Sequence, residues 1–189
     1  GTDHGTSAPH FVVRDAVVSW MVKRGLAGPF WYPVVAETSD GRLNDQKGQH
    51  VKAEDAIRAL ESARGGRIEE GNVGGGTGML CHGFKGGTGT ASRRVSSAGG
   101  EYTVGALVQC NYGSRSELRI AGIPVGREIR GYEPCVAKTA DPPLRGVPLC
   151  TAQAPEPVRE EPEQGSIIAV IATDAPLTPD QLKRVVKRV

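Results

Sequence analysis

The sequence predicts an α+β fold in which helices are layered against strands. Three observations carry that expectation. Apolar residues recur at helical spacing in two separate stretches of the first third of the chain. Several later stretches have the β-branched, apolar character of strands, and the last of them runs into a helix with a complete N-terminal cap.

The first helix is expected in "HFVVRDAVVSWMVKRGLAG", where Val13, Val17, Trp20 and Met21 form one apolar face and Gly25 supplies a stop. "FWYPVVAET" reads as a short buried strand, and "SDGRLND" is turn chemistry centred on Asp-Gly. "KAEDAIRALESARGG" is a second amphipathic helix closed by glycine. "YTVGALVQCNYG" and "ELRIAGIPVG" read as strands joined by the turn "NYGSRS", and "SIIAVIATD" reads as the last strand. "LTPDQLKRVV" then opens a helix, with Thr178 as N-cap, Pro179 at the first helical position and Gln181 in the capping-box position. No internal repeat interrupts this order.

Two stretches break the regular pattern. In "EEGNVGGGTGMLCHGFKGGTGTASRR", nine of the 26 glycines fall between Gly71 and Gly89. Residues 134 to 162 hold seven of the 13 prolines. Charged and without periodicity, the segment 134–165 reads as an exposed, mobile loop that leads directly into Gly165-Ser166.

A chain of 189 residues fits one domain. It opens on Gly1 rather than Met and stops within a helical pattern, so it reads as an internal piece of a longer protein, incomplete at both ends. No apolar run approaches the ~20 residues of a membrane helix, and the expectation is a soluble protein of cytoplasm or periplasm without a membrane partner. A net charge of +2 argues against nucleic acid. The basic "LKRVVKRV" reads as a solvated helix face. Four cysteines without CxxC spacing argue against zinc. Cys81 and Cys110 lie in apolar surroundings and read as reduced core residues, whereas Cys135 and Cys150 flank a loop and can pair under oxidising conditions.

The glycine-rich stretch has the wrong register for a phosphate cradle, because Lys85 precedes its glycines and no GxGxxG follows a strand. It reads as tight turns with close backbone approach, and as one wall of a pocket. His4, His10, His50 and His82 are scattered, so neither a metal site nor a Cys81–His82 dyad is expected. No GxSxG is present.

Three other positions carry more. Glu37 ends the run "YPVVAE", which sets its carboxylate at a strand mouth, half shielded from water. It is there either to bond backbone N–H groups or to receive a substrate ammonium. Asn111 ends "GALVQCN" and either shapes the turn or offers its amide to a developing oxyanion. Ser166 opens an apolar strand behind Gly165 and a loop that can move away. Those are the requirements for a chain that cuts itself at Gly165-Ser166, leaving an N-terminal serine as nucleophile with its own α-amine as base.

"PVVAETSDGRLND", "EEGNVGGGTGMLCHGFKGGTGTASRR", "YTVGALVQCNYG" and "GSIIAVIATDAPL" together resemble the L-aminopeptidase/D-esterase (D-amidase) family, which includes the β-peptidyl aminopeptidases. The likeness runs over most of residues 33 to 186, with the motifs in the same order. It implies a four-layer αββα sandwich similar to that of N-terminal-nucleophile hydrolases, of which this chain would be a part. It also implies a precursor cut before its serine into an α chain, here residues 1–165, and a β chain beginning at 166, the two staying associated and assembling into a homo-oligomer. By motif, Ser166 is then the nucleophile, Asn111 the oxyanion donor, Glu37 the ligand of the substrate's free amine, and Gly165 the released α-chain end.

The implied reaction removes an unblocked N-terminal residue from a small peptide, amide or ester through an acyl-enzyme, with no metal and no organic cofactor. Relatives carry a further catalytic serine and glutamate, which would lie beyond Val189. In some, an aromatic residue near the Glu37 motif assists the oxyanion, where this chain has Ser39 and Arg42. Two other readings stand beside this one. One is an ornithine-type acetyltransferase of similar fold, against which Ser166 and "GNVGGGTGM" argue. The other is a non-catalytic glycine-loop binding module in which Gly165-Ser166 is only a turn.

Overall fold

A three-stranded antiparallel sheet organises the molecule, seen in a computed structural model that describes residues 7–29, 31–41, 43–45, 48–129, 135 and 165–189. Along the chain come helix α1 (Ser7–Lys23), helix α2 (Ala53–Ser62) and two short strands, β1 (Leu80–Cys81) and β2 (Phe84–Lys85). The long strands β3 (Gly87–Ser97) and β4 (Gly100–Asn111) follow, then β5 (Ser166–Thr173) and helix α3 (Pro179–Val186). The α+β class expected from the pattern is what forms. The segment read as a mobile loop, 134–165, lies outside the described residues apart from Cys135 and Gly165.

Helix α1 ends as its glycine predicts. Gly25 takes φ +65°, and the N–H groups of Gly25 and Leu26 reach back to the carbonyls of Val22 and Met21 at 3.1 and 2.9 Å. This is the double bond of a Schellman cap, which a left-handed glycine makes without steric cost. Its stripe Val13, Ala16, Val17, Trp20 is buried or half-buried and the helix packs on α2. Arg24 lies 4.5 Å over the Trp20 ring, and both side chains donate to Glu61 Oε1, at 2.8 and 3.3 Å. α2 starts where the Asp55 carboxylate accepts the Lys52 N–H at 2.9 Å. It stops at Ser62, three residues before Gly65, because Ala63 already turns extended.

In the main sheet β4 is central. It pairs with β3 from Ser97↔Gly100 to Gly87↔Cys110, and with β5 from Val104↔Thr173 to Asn111↔Ser166. α3 begins as expected, with Thr178 Oγ1 accepting the Gln181 N–H and Gln181 Oε1 accepting the Thr178 N–H.

Several sequence expectations are corrected. "FWYPVVAET" forms no strand. Its side chains alternate half-buried and exposed from Trp31 to Ala36, the period of extended chain, but no strand pairs with it among the described residues, and Tyr32 and Val34 are 87% and 94% exposed. "ELRIAGIPVG" is a turn rather than a strand. Ile120 and Ile123 exchange both backbone bonds at 3.0 Å around Ala121 and Gly122, each at positive φ, the geometry of a two-residue type I′ turn. Conversely, "GTGTASRR" ends the stretch that breaks the regular pattern, yet with residues 95–97 it forms strand β3.

Cys81 and Cys110 are not reduced. They form a disulfide with Cα atoms 5.8 Å apart, within the usual 4.4–6.8 Å, tying β1 to β4. Cys135 is disulfide-bonded as well, and Cys150 lies outside the described residues.

The glycine-rich stretch is backbone packed on backbone. A Cβ on Gly76 would come within 2.8 Å of the Gly71 carbonyl and the Thr88 nitrogen, which only glycine permits. The buried apolar side chains are Ala16 in α1 and Met79 and Leu80 at the entry to β1, among the described residues. The last two sit beneath the end of β4 where the candidate site lies.

Candidate functional site

Ser166 is the first residue of β5, and its register partner is Asn111, the last residue of β4. Neither motif hints at the other, yet the ladder sets them side by side. Asn111 Nδ2 donates to Ser166 Oγ at 2.9 Å and to the Ser39 carbonyl at 2.8 Å. Its Oδ1 accepts the backbone N–H of Leu80 at 3.0 Å. With both amide hydrogens and the carbonyl engaged, the carboxamide cannot flip without breaking three bonds. Asn111 is therefore a fixed donor aimed at Ser166, not merely a turn former.

Ser166 Oγ accepts a second hydrogen bond, from the Ser39 N–H at 3.3 Å. Two N–H donors thus converge on one hydroxyl oxygen, one from a side chain on β4 and one from the backbone of the segment 37–39. A pair of oriented donors beside a hydroxyl favours whatever negative charge develops there or on an adjacent carbonyl oxygen. No described residue accepts the proton of the Ser166 hydroxyl. Gly165, before it, is exposed.

Glu37 is two residues from Ser39, so the segment that meets Ser166 also carries it. Its surroundings differ from the expectation. No strand mouth exists there, the side chain is exposed, and it makes no hydrogen bond or ion pair among the described residues. Lacking a partner strand, the run "YPVVAE" gives it no wall. Arg42 lies outside the described residues.

The sequence reading missed a second set of contacts. Gln109 Nε2 donates to Thr38 Oγ1, and Thr38 in turn donates to Met79 Sδ at 2.9 Å. Met79 is 2% exposed. Gln109 and Asn111 are two apart on β4, hence on one face, and that spacing was the available signal. Cys81 is oxidised and so provides no thiolate for a dyad with His82, which sits at φ +49° in the turn after β1. Two shallow open depressions, one on α2 lined by Glu54, Ile57 and Arg58 and one lined by Leu177, Gln181 and Arg184, do not include Ser166.

Comparison with known proteins places this geometry in context. Residues 4–189 match the model of peptidase family S58. The chain is 54% identical over 180 residues to beta-peptidyl aminopeptidase BapA of Sphingosinicella microcystinivorans, covering 94% of this chain and 42% of the relative. It is 48% identical over 156 residues to beta-peptidyl aminopeptidase BapA of Sphingosinicella xenopeptidilytica, covering 82% and 36%. Among solved structures, the L-aminopeptidase D-Ala-esterase/amidase of Ochrobactrum anthropi superposes with a TM-score of 0.74 at 41% identity, over 97% of this chain and 45% of the other. That protein is described as a prototype for the serine aminopeptidases and a new variant among the Ntn hydrolase fold. A Burkholderia sp. beta-aminopeptidase superposes at 0.69 with 46% identity, over 95% and 43%. The chain thus spans less than half the length of these relatives, and what it contributes is an α+β part of the Ntn-hydrolase fold.

Proposed function

The chain belongs to peptidase family S58, and from that we propose that it carries the self-cleavage site and part of the catalytic machinery of a serine aminopeptidase. The observation that carries the reading is the convergence of Asn111 Nδ2 and the Ser39 N–H on Ser166 Oγ, at 2.9 and 3.3 Å, directly after an exposed glycine.

Two chemical stages follow. In the first, Ser166 Oγ attacks the carbonyl carbon of Gly165. The oxyanion that forms takes hydrogen bonds from the nearby donors, Asn111 foremost, and collapse breaks the C–N bond, the departing nitrogen taking up the proton lost from the hydroxyl, to leave an ester on Oγ and a free α-amine on Ser166. Water then cleaves the ester, Gly165 leaving as a carboxylate. In the second stage the same hydroxyl attacks the acyl carbon of a substrate. The α-amine, with an unperturbed pKa of about 7.7–8.0, accepts the hydroxyl proton, for which no described residue is an acceptor. The leaving group departs protonated, and water releases the acyl-enzyme.

Glu37 fits as the ligand of the substrate's own ammonium, which confines the enzyme to unblocked N-termini. The substrate class is a small peptide, amide or ester with a free α- or β-amine, as the relatives' names suggest. The two pieces stay together without a covalent link, because eight register pairs from Val104↔Thr173 to Asn111↔Ser166 hold β5 to β4. A homo-oligomer, as the family resemblance implies, belongs to the same proposal.

The test is intact mass of the full-length protein beside a Ser166→Ala variant, with N-terminal sequencing of any smaller piece. Two fragments, one starting SIIAVIATD and absent from the variant, are expected. A single uncut wild-type chain under native conditions would remove the reading.

A further inference from the structure

The segment 37–39 supplies a donor to Ser166 and carries Glu37, yet it belongs to no helix or strand. Something outside the backbone ladder has to hold it. Two side chains of β4 do so at adjacent residues. Asn111 donates to the Ser39 carbonyl and Gln109 donates to the Thr38 hydroxyl. Being two apart on one strand, they rise from the same face and grip the segment at two points.

The Thr38 hydroxyl is the junction of the second grip. It accepts from Gln109 and donates to Met79 Sδ at 2.9 Å, so both its roles are used. Met79 is nearly inaccessible and precedes Leu80, whose N–H holds Asn111 Oδ1. The two grips therefore share one rigid footing at residues 79–80. The glycine-rich turn is shaped to the same contact, since a Cβ at Gly75 would overlap Gln109 Oε1. Glycine at 75 leaves the room in which the Gln109 carboxamide lies.

We propose that Gln109 and Thr38 are positioning residues. Through the hydrogen bond between them they fix segment 37–39 on β4, so that the Ser39 N–H faces Ser166 Oγ, with Gly75 providing the space this needs. The proposal rests on the reading of Ser166 as the nucleophile. It concerns self-cleavage first, because that step needs no substrate bound and so reports the alignment of the donors on Ser166 without the contact of Glu37 to a substrate.

The test measures the self-cleavage rate and then kcat and KM on an aminopeptidase substrate, using the full-length protein. Gln109→Leu and Thr38→Val keep shape and remove the bond. Each is expected to slow self-cleavage and lower kcat by about tenfold, within what small misplacements of reacting groups cause. Thr38→Ser, which keeps the hydroxyl, should stay within about twofold of wild type, and the double variant should be no slower than either single one. Gly75→Ala needs only the end of the Gln109 side chain to move, so it should slow the wild type but have no effect on the Gln109→Leu background. A fault of folding alone would not be rescued by Thr38→Ser or cancelled in that background. Wild-type rates in Thr38→Val and Gln109→Leu, or multiplicative losses in the double variant, would overturn the proposal. If Gln109→Leu fails to fold, Thr38→Val and Gly75→Ala decide in its place. Ser166→Ala separates the two ideas. Self-cleavage persisting in it removes the parent reading, whereas its loss together with unaffected Thr38 and Gln109 variants removes only this one.

Discussion

Opening the Cys81–Cys110 disulfide should lower stability while leaving the chemistry of Ser166 nearly intact. The bond closes a loop with a sequence separation of 29 residues. In the chain-entropy description, a loop of that size removes about 12 cal/mol/K from the unfolded chain, roughly 3.6 kcal/mol at 25 °C. The site beside it has its own supports. His82 N–H donates to the Tyr112 carbonyl at 2.8 Å, and Leu80 N–H to Asn111 Oδ1 at 3.0 Å, so β1 remains on the end of β4 without the sulfurs. The assay is urea unfolding of the full-length protein with and without a phosphine reductant, which opens the bond of Cys135 too, beside a Cys81→Ser/Cys110→Ser variant that opens this one alone, with thiols counted under each condition. A loss of about 3–4 kcal/mol is expected, with self-cleavage within twofold of wild type in mild conditions. A loss below about 1 kcal/mol with the thiols demonstrably free would refute the loop-entropy argument. A collapse of self-cleavage at unchanged stability would show that the sulfurs, not the hydrogen bonds, hold Asn111.

Asn111→Ala removes the side-chain donor from Ser166 and should lower kcat and the self-cleavage rate by about 10²–10³, the range for loss of one oxyanion donor; a loss under tenfold would reassign Asn111 to structure. Glu37→Gln should raise KM for substrates with a free amine and leave self-cleavage unchanged, measured as product formation against substrate concentration and as fragment mass. Glu70 accepts from both the N–H and the hydroxyl of Thr90, and those bonds hold its carboxyl below the ordinary glutamate range. A folded-state value depressed in this way contributes stability above the unfolded value and loses it as pH falls through the folded one. Wild type and Glu70→Gln should therefore differ in thermal midpoint at neutral pH and converge in acid; parallel curves down to pH 2 would refute the assignment.

What was legible in the sequence was what a few neighbouring residues decide among themselves. Gly25, Thr178-Pro179 and Gln181 act within one turn, and the structure follows them. The apolar run behind Ser166 needs nothing beyond its own side chains to read as a strand. The misreadings share the opposite property. "FWYPVVAET" has strand chemistry and even strand-like alternation, but a strand exists only against a partner, and none pairs with it among the described residues. "GTGTASRRVSS" is weak by propensity and becomes β3 because β4 lies beside it over eleven register pairs, an override that strand formation permits more readily than helix formation does. Cys81 and Cys110 looked like ordinary core thiols because no local rule says that a two-residue strand will be laid against the end of β4.

The candidate site shows the same division within a single hydrogen bond. Ser166 and Asn111 were each identifiable from their own neighbourhoods, Ser166 by the glycine and strand around it, Asn111 by its place at a strand end. Their 2.9 Å contact depends on register, and register is set by every pair along the β4–β5 ladder. A slip of one residue would turn Ser166 to the other face and leave Asn111 pointing at a backbone. The backbone donor of Ser39 is a step further from the sequence, since any residue has an N–H and only the grip of Gln109 and Asn111 on residues 38 and 39 aims this one. A site built where strand ends meet a loop thus shows its serine in the sequence and keeps its alignment in the fold. The side chains that set that alignment, Gln109 and Thr38, are of types that no catalytic motif would single out.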